Sequence, residues 1–154
     1  FYTCYHQTIE EHGSFLYLNQ EFFETLCQTM PAQIRLLLAQ RDSRNVAAAF
    51  FICADNALYG RYWGSVEQIP DLHFEVCYYT PIEYCIAQGY SFFEAGAQGD
   101  HKLSRGLRPT ITRSAHWLSH AGFHDAIERY TLEEQQEIER YTDILEQHSP
   151  FKRT

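Results

Sequence analysis

Residues 46–54 read VAAAFFICA, nine positions in a row without a polar side chain. A solvent-facing helix would show a polar stripe within such a run. A membrane span would need about 20 apolar residues. What the run suits is a strand covered on both faces. A chain that contains such a strand must supply one layer above it and one below, and that requirement shapes the reading of everything else. The three alanines at 47–49 also allow close approach by a helix or a ligand, with dense core packing the simpler account.

The flanking segments supply the neighbours. Ile34, Leu36 and Leu38 alternate with Arg35 and lead into the polar turn QRDSRN (40–45). ADNA (54–57) holds a tight turn at Asp55 and Asn56, and LYGRYWGS (58–65) is a third, aromatic-rich strand. Together these predict an antiparallel meander. Two helices precede it. Tyr2, Tyr5 and Ile9 share one helical face that Gly13 ends, and Asn19 caps a second stripe of Phe22, Phe23, Leu26, Cys27 and Met30, stopped by Pro31.

The helical period returns at Phe74, Cys77, Tyr78, Ile82, Cys85 and Ile86. TPIE at 80–83 would suit a helix start, but the stripe keeps phase through the proline. One helix over 73–88, kinked at Pro81 and capped by Gly89, is therefore predicted. YSFFEAGA (90–97) is read as a buried fourth strand and TITRSAHWL (110–118) as a fifth, with Ile111 alternating against polar neighbours. Thr131 and Glu134 form a capping box for a final helix with Ile138, Tyr141 and Leu145 on its inner face and acids outside. A helix between the third and fourth strands sets them parallel in an otherwise antiparallel sheet. The class is α+β, in the order α-α-β-β-β-α-β-β-α.

Length and composition agree: 154 residues with 45% hydrophobic and 16% aromatic content suit one folded domain. Five scattered cysteines form no CxxC pair and sit in apolar surroundings. Buried thiols in a reducing compartment follow, and the absence of a signal-peptide pattern adds to a cytoplasmic expectation. The chain opens on Phe1 rather than methionine, so a fragment of a longer protein, or a processed chain, is expected.

The net charge is −8, yet residues 98–113 carry Lys102, Arg105, Arg108 and Arg113 against Asp100, while the remainder holds 8 basic and 19 acidic groups. A nucleic-acid module would show a wide basic face. Here the cations sit on one glycine-rich stretch, FEAGAQGDHKLSRGLRP (93–109). Gly96, Gly99 and Gly106 permit positive φ or close backbone approach. Lys102 supplies a point charge, and Arg105 and Arg108 can fork onto phosphate or carboxylate oxygens. With Gln98, His101 and His116 they form a candidate anion clamp, and a solvated loop paired with nearby acids is the plain alternative. Tyr62, Trp63, Tyr78 and Tyr79 are candidate pocket aromatics, Trp63 the one most readily explained by core packing. His116, His120 and His124 recur every four residues, but Gly122 and the preceding strand break the helical alignment a metal face needs, and no metal is expected. Cys77 and Cys85 lie on the apolar stripe and read as core.

The element order, together with GRYWG (60–64), HFEVCYY (73–79), FEAGAQGDHKLSRG (93–106), SAHW (114–117) and HSPF (148–151), resembles the FemAB-like peptidoglycan biosynthesis or recognition family of the GNAT N-acyltransferase superfamily. The resemblance covers nearly the whole chain. It implies a GNAT-like mixed, mostly antiparallel sheet flanked by helices, and a chain that corresponds to the C-terminal half of a longer, two-half protein. The missing half would be an intramolecular partner. It further implies transfer of an acyl or aminoacyl group to an amine of a cell-wall-related small-molecule or peptide acceptor, with no tightly bound cofactor and no membrane span. Acyl-CoA or aminoacyl-tRNA would be the donor, tRNA then being a carrier partner. Within that chemistry Glu94, Glu75 or His73 would be the base. One departure stands out. The segment GSVEQIPDLHF (64–74), where GNAT enzymes place an Arg- and Gly-rich pyrophosphate turn, has no Arg or Lys and carries Glu67 and Asp71. That departure leaves open a non-catalytic domain that binds an anionic peptide or a peptidoglycan precursor.

Overall fold

The computed structural model describes residues 1–96, 99–148 and 150–151, the side chain of Asp100 excepted. The chain divides into two compact units, Phe1–Ala97 and Gln98–Thr154.

The first unit is built on the apolar run. Strands β1 (Ile34–Arg41), β2 (Arg44–Ala54), β3 (Ala57–Ser65) and β4 (Phe92–Glu94) lie in sequence order. β1 with β2 and β2 with β3 are antiparallel, while β3 with β4 is parallel, pairing Leu58 with Phe93. The α+β class with a mixed, mostly antiparallel sheet is as expected. Asp42 and Ser43 both take positive φ at the β1–β2 turn, and Asp55 does so at the next. Short polar side chains tolerate that geometry best among non-glycine residues.

β2 is covered on both faces, as its composition requires. On one side Phe50 joins Tyr5, Phe23 and Ile34, under helices α1 (Tyr2–Glu11) and α2 (Gln20–Thr29). On the other, Ala49, Phe51 and Cys53 join Leu58, Val76 and Cys85. Asn19 caps α2 by accepting from Phe22 N at 2.9 Å. Gly64 on β3 lies directly under α1: a Cβ there would stand 2.7 Å from Tyr5 N and closer still to the Cys4 carbonyl. The close helix approach is therefore set by a glycine, not by the alanines of β2.

Tyr5 is fully buried among these rings, and its hydroxyl has no hydrogen-bond partner among the described residues. A buried, unsatisfied hydroxyl is a net cost. Tyr5→Phe should raise stability by about 1 kcal/mol, seen as a higher urea midpoint at unchanged slope.

The predicted helix after β3 is one continuous element with an irregular middle. Its first turn, α3 (Leu72–Phe74), runs into a π turn (Glu75–Tyr79) and then into α4 (Thr80–Gln88). Thr80 N–H donates to Glu75 O, five residues back. Pro81 has no N–H to give, and the widened turn sits just ahead of it. Gly89 closes the helix at φ 71°. The π turn shifts the buried face. Val76, Tyr78, Pro81 and Cys85 are buried, while Ile86 is 75% exposed, so the expected regular stripe through Ile86 is corrected.

The β4 region is shorter and more open than the buried strand expected over 90–97; Phe92 is 67% exposed. The thiols also differ from expectation at one position. Cys4, Cys53 and Cys85 are buried and Cys77 half-buried, but Cys27 is exposed, and all five are free.

The second unit contains a 3₁₀ helix (Asp100–Arg105) and a 27-residue helix, α5 (Ala121–Gln147). The fifth strand expected over 110–118 is absent: residues 107–118 form no regular element and Trp117 is 82% exposed. Arg113 falls between Ile111 and Ala115 on the alternating face, which leaves a sheet too little continuous apolar surface to bury. α5 starts ten residues before the expected capping box. His120 Nδ1 accepts from Phe123 N as the cap, and Thr131 lies inside the helix, its hydroxyl donating to Glu128 O. Among the described residues no helix is long and apolar enough to cross a membrane.

Candidate functional site

A cavity of about 530 Å³ opens where β3 ends and α3 begins. Three segments build its wall. α1 contributes Thr8, Glu11 and His12; the end of β3 and its loop contribute Trp63, Ser65 and Glu67; the helix start contributes Asp71 and His73. The close seating of α1 over Gly64 is what brings the first segment to the other two. Ser65 stitches the wall: its N–H donates to Thr8 Oγ1 at 3.3 Å, and its Oγ accepts from Glu67 N at 3.2 Å.

His73 is half-buried, its ring 5.1 Å from Trp63 and edge-on to Tyr78 at 5.4 Å. Asp71, just before it, holds φ 60°, and its carbonyl accepts from Phe74 N and Glu75 N. An aspartate in that left-handed conformation costs free energy that the surrounding structure must offset. Among the described residues the wall carries the carboxylates of Glu11, Glu67 and Asp71 and no lysine or arginine. Glu67 is paired from outside by Arg41, with Arg44 at 4.0 Å. The remaining negative charge suits an ammonium group and repels a pyrophosphate.

Of the expected bases, His73 alone lines this cavity. Glu75 is exposed and accepts from the Thr80 hydroxyl at 2.6 Å. Glu94 is exposed on β4, with Arg61 Nη1 of the adjacent strand at 3.4 Å. Tyr78 is brought against His73, but Tyr62 is not: it lies in the cluster on the other face of the sheet, 5.2 Å from Tyr5 and 5.8 Å from Phe23. Burial, with help from the hydrogen bond shared with the Tyr17 hydroxyl at 3.3 Å, pushes the Tyr62 phenol up to about 12.

The glycine-rich stretch keeps its backbone geometry. Gly96, Gly99 and Gly106 have φ of 78°, 100° and 83°. Gln98 lies outside the described residues. Lys102 and Arg105 are half-buried and Arg108 is exposed. Arg105 Nη1 donates to His101 O at 2.6 Å and to Ser104 Oγ at 3.1 Å, so part of its fork is committed to its own turn. The His101 ring lies against Gly99, filling the space a Cβ would need. His116 is exposed and shares a 2.9 Å hydrogen bond with Ser114 Oγ. His120 caps α5 and His124 belongs to it, whereas His116 precedes the helix. Among the described residues no three His, Cys, Asp or Glu side chains gather as metal ligands.

Sequence reasoning missed Glu11, His12 and Thr8. They sit on a helix read only for its apolar face, and only the tertiary seating of α1 makes them cavity residues. Asp71 and Glu67 were noticed, as obstacles to a phosphate rather than as lining of this cavity.

No curated protein and no solved structure matches the chain. A profile of the FemAB-like family, described as peptidoglycan biosynthesis/recognition, matches residues 1–153, all but the last residue. The cavity therefore sits in a chain with a peptidoglycan-related role, and the chain belongs to the FemAB-like peptidoglycan biosynthesis/recognition family.

Proposed function

We propose that the cavity at the β3–α3 junction takes the amine acceptor in a FemAB-type N-acyl transfer, in which an acyl or aminoacyl group is moved onto an amine of a cell-wall-related molecule. The observation that carries this is the wall itself, which among the described residues sets carboxylates and one half-buried imidazole around a cavity and brings no lysine or arginine to it. Glu11 and Asp71 hold the incoming ammonium. His73, oriented between Trp63 and Tyr78, removes its proton. The freed amine attacks the acyl carbonyl of the donor, the adduct nitrogen gives its second proton to water, and the tetrahedral adduct collapses as the C–S or C–O bond to the donor breaks. The proton held on His73 goes to that leaving thiolate or alkoxide. No cofactor takes part beyond the donor, which is acyl-CoA or aminoacyl-tRNA. Within the second unit, Lys102 and Arg105 of the 3₁₀ helix and Arg108 just after it are proposed to clamp an anionic group.

The test is a transfer assay with a lysine-containing muropeptide as acceptor and each donor class in turn. His73→Gln should lower kcat by about 10²- to 10⁴-fold while leaving the thermal midpoint unchanged. Full activity in that variant would remove His73 from the mechanism.

A second reading, recognition without catalysis, is favoured by one observation: the lining of this cavity has no cation for a donor pyrophosphate. Thermal stabilisation by the muropeptide with no transfer from either donor would select it.

A further inference from the structure

The open edge of the sheet carries a feature that the transfer chemistry does not use. Among the described residues β1 has β2 as its sole partner in the sheet. Cys53 N donates to Gln33 O at 2.6 Å, and the register continues as Arg35↔Phe51 and Leu37↔Ala49. In an antiparallel pair, such positions turn both backbone groups toward the partner strand, and the positions between them turn theirs away. Leu36 and Leu38 therefore present N–H and C=O outward, and so does Ile34, whose carbonyl accepts from Arg35 Nη1. Leu36 and Leu38 are also 44% exposed. An unprotected apolar edge of this kind is a template for another extended chain.

Beside that edge lies a second cavity, about 130 Å³, between β1 and the start of α4. Leu36, Leu37, Phe51, Leu58 and Pro81 make it apolar, and Arg35 is its one charged lining residue. The guanidinium is held in place: Nε donates to the Tyr84 hydroxyl at 2.8 Å, and Nη1 donates to Ala32 O and Ile34 O at 3.0 and 2.7 Å. Nη2 has no protein partner among the described residues. An oriented guanidinium at the rim of an apolar cavity is the chemistry that captures a carboxylate attached to an apolar group.

The directions agree. A peptide added antiparallel to β1 would end at the Ile34 end of the strand, where Arg35 stands. We propose that this edge binds the carboxy-terminal segment of an extended peptide, which pairs with the outward groups of Leu36 and Leu38, places its last side chain in the 130 Å³ cavity and sets its terminal carboxylate on Arg35. A cavity of roughly 150 Å³ holds a benzene ring, so the last residue is leucine-sized or smaller. Strand pairing supplies affinity and the cavity supplies specificity. This site is separate from the amine cavity, and neither reading depends on the other.

Calorimetric titration tests it with three probes: an acetylated tetrapeptide of sequence SVSL with a free carboxylate, the same peptide as its amide, and isovalerate. The free acid should bind roughly ten- to a hundredfold tighter than the amide, the worth of a charge-assisted hydrogen-bonded pair, and tighter than isovalerate. Arg35→Gln should erase the acid–amide difference. Leu38→Pro removes an outward donor and no bond to β2, lies outside the cavity lining, and should weaken the peptide but not isovalerate. Equal binding of acid and amide, binding of neither at millimolar concentration, or a difference that survives Arg35→Gln would each overturn the proposal. The comparison of probes on the unaltered protein stands even if Arg35→Gln fails to fold.

Discussion

Gly64→Ala should destabilise the protein by about 3 kcal/mol, the top of the usual overpacking range. In an ordinary strand the same exchange would be favourable, because alanine gives up less backbone freedom on folding than glycine. Here the added methyl would meet the Cys4 carbonyl and stand 2.7 Å from Tyr5 N. Both are main-chain atoms of α1, so no rotamer change relieves the contact. α1 must lift, and as it lifts it withdraws Tyr5 from its place beside Phe23 and Tyr62. Thr8 and Glu11 leave the amine cavity with it. Gly122→Ala in α5 is the control, since its Cβ would find nothing closer than the His120 ring at 3.4 Å. Urea unfolding should show a markedly lower midpoint for Gly64→Ala and an unchanged or higher one for Gly122→Ala. A Gly64→Ala protein as stable as its parent would mean that α1 is not seated on β3 in this way.

Phe50→Ala should cost about 3–5 kcal/mol, the largest single loss expected from any side chain. Phe50 is 1% exposed, with the rings of Phe1 and Phe23 at 5.4 Å and Tyr62 at 6.4 Å. Truncation removes the ring and leaves a cavity walled by aromatic groups that cannot collapse far. For a chain of this length each kcal/mol moves the thermal midpoint by about 2–4 °C, so a fall on the order of 10 °C is expected. Phe50→Leu roughly conserves volume and should cost under about 1.5 kcal/mol. Similar losses for both variants would show that the cluster is held by something other than filled space.

The parts of this fold that could be read in advance are those where local chemistry and burial agree. VAAAFFICA is apolar because β2 has packing on both faces; Asn19 and Gly89 mark helix ends because their own side chain or φ does the capping. Alternation broken by Arg113 failed at 110–118, and the Thr131–Glu134 pair imitated a helix start inside α5, where nothing prevents helix from continuing N-terminally to His120. The candidate site was legible at His73 and Tyr78, which one helix positions. It was not legible at Thr8, Glu11 and His12, since their role depends on a glycine 52 or more residues away in sequence. Glu75 and Glu94 were plausible by residue type, but each side chain is engaged outside the cavity, with Thr80 and Arg61 respectively.

The wide turn at Glu75–Tyr79 works as an angular offset between two tasks of one rod. Each residue advances an α-helix by about 100°, so one surplus position there rotates the forward end against the rear by roughly that angle. The imidazole of His73 is thereby pointed at Trp63 while Cys85 keeps its place in the interior. Excising one residue from the loop of that turn would let the ladder close uniformly, swing the imidazole away, and leave the rear half undisturbed. Aim and anchorage are thus set independently.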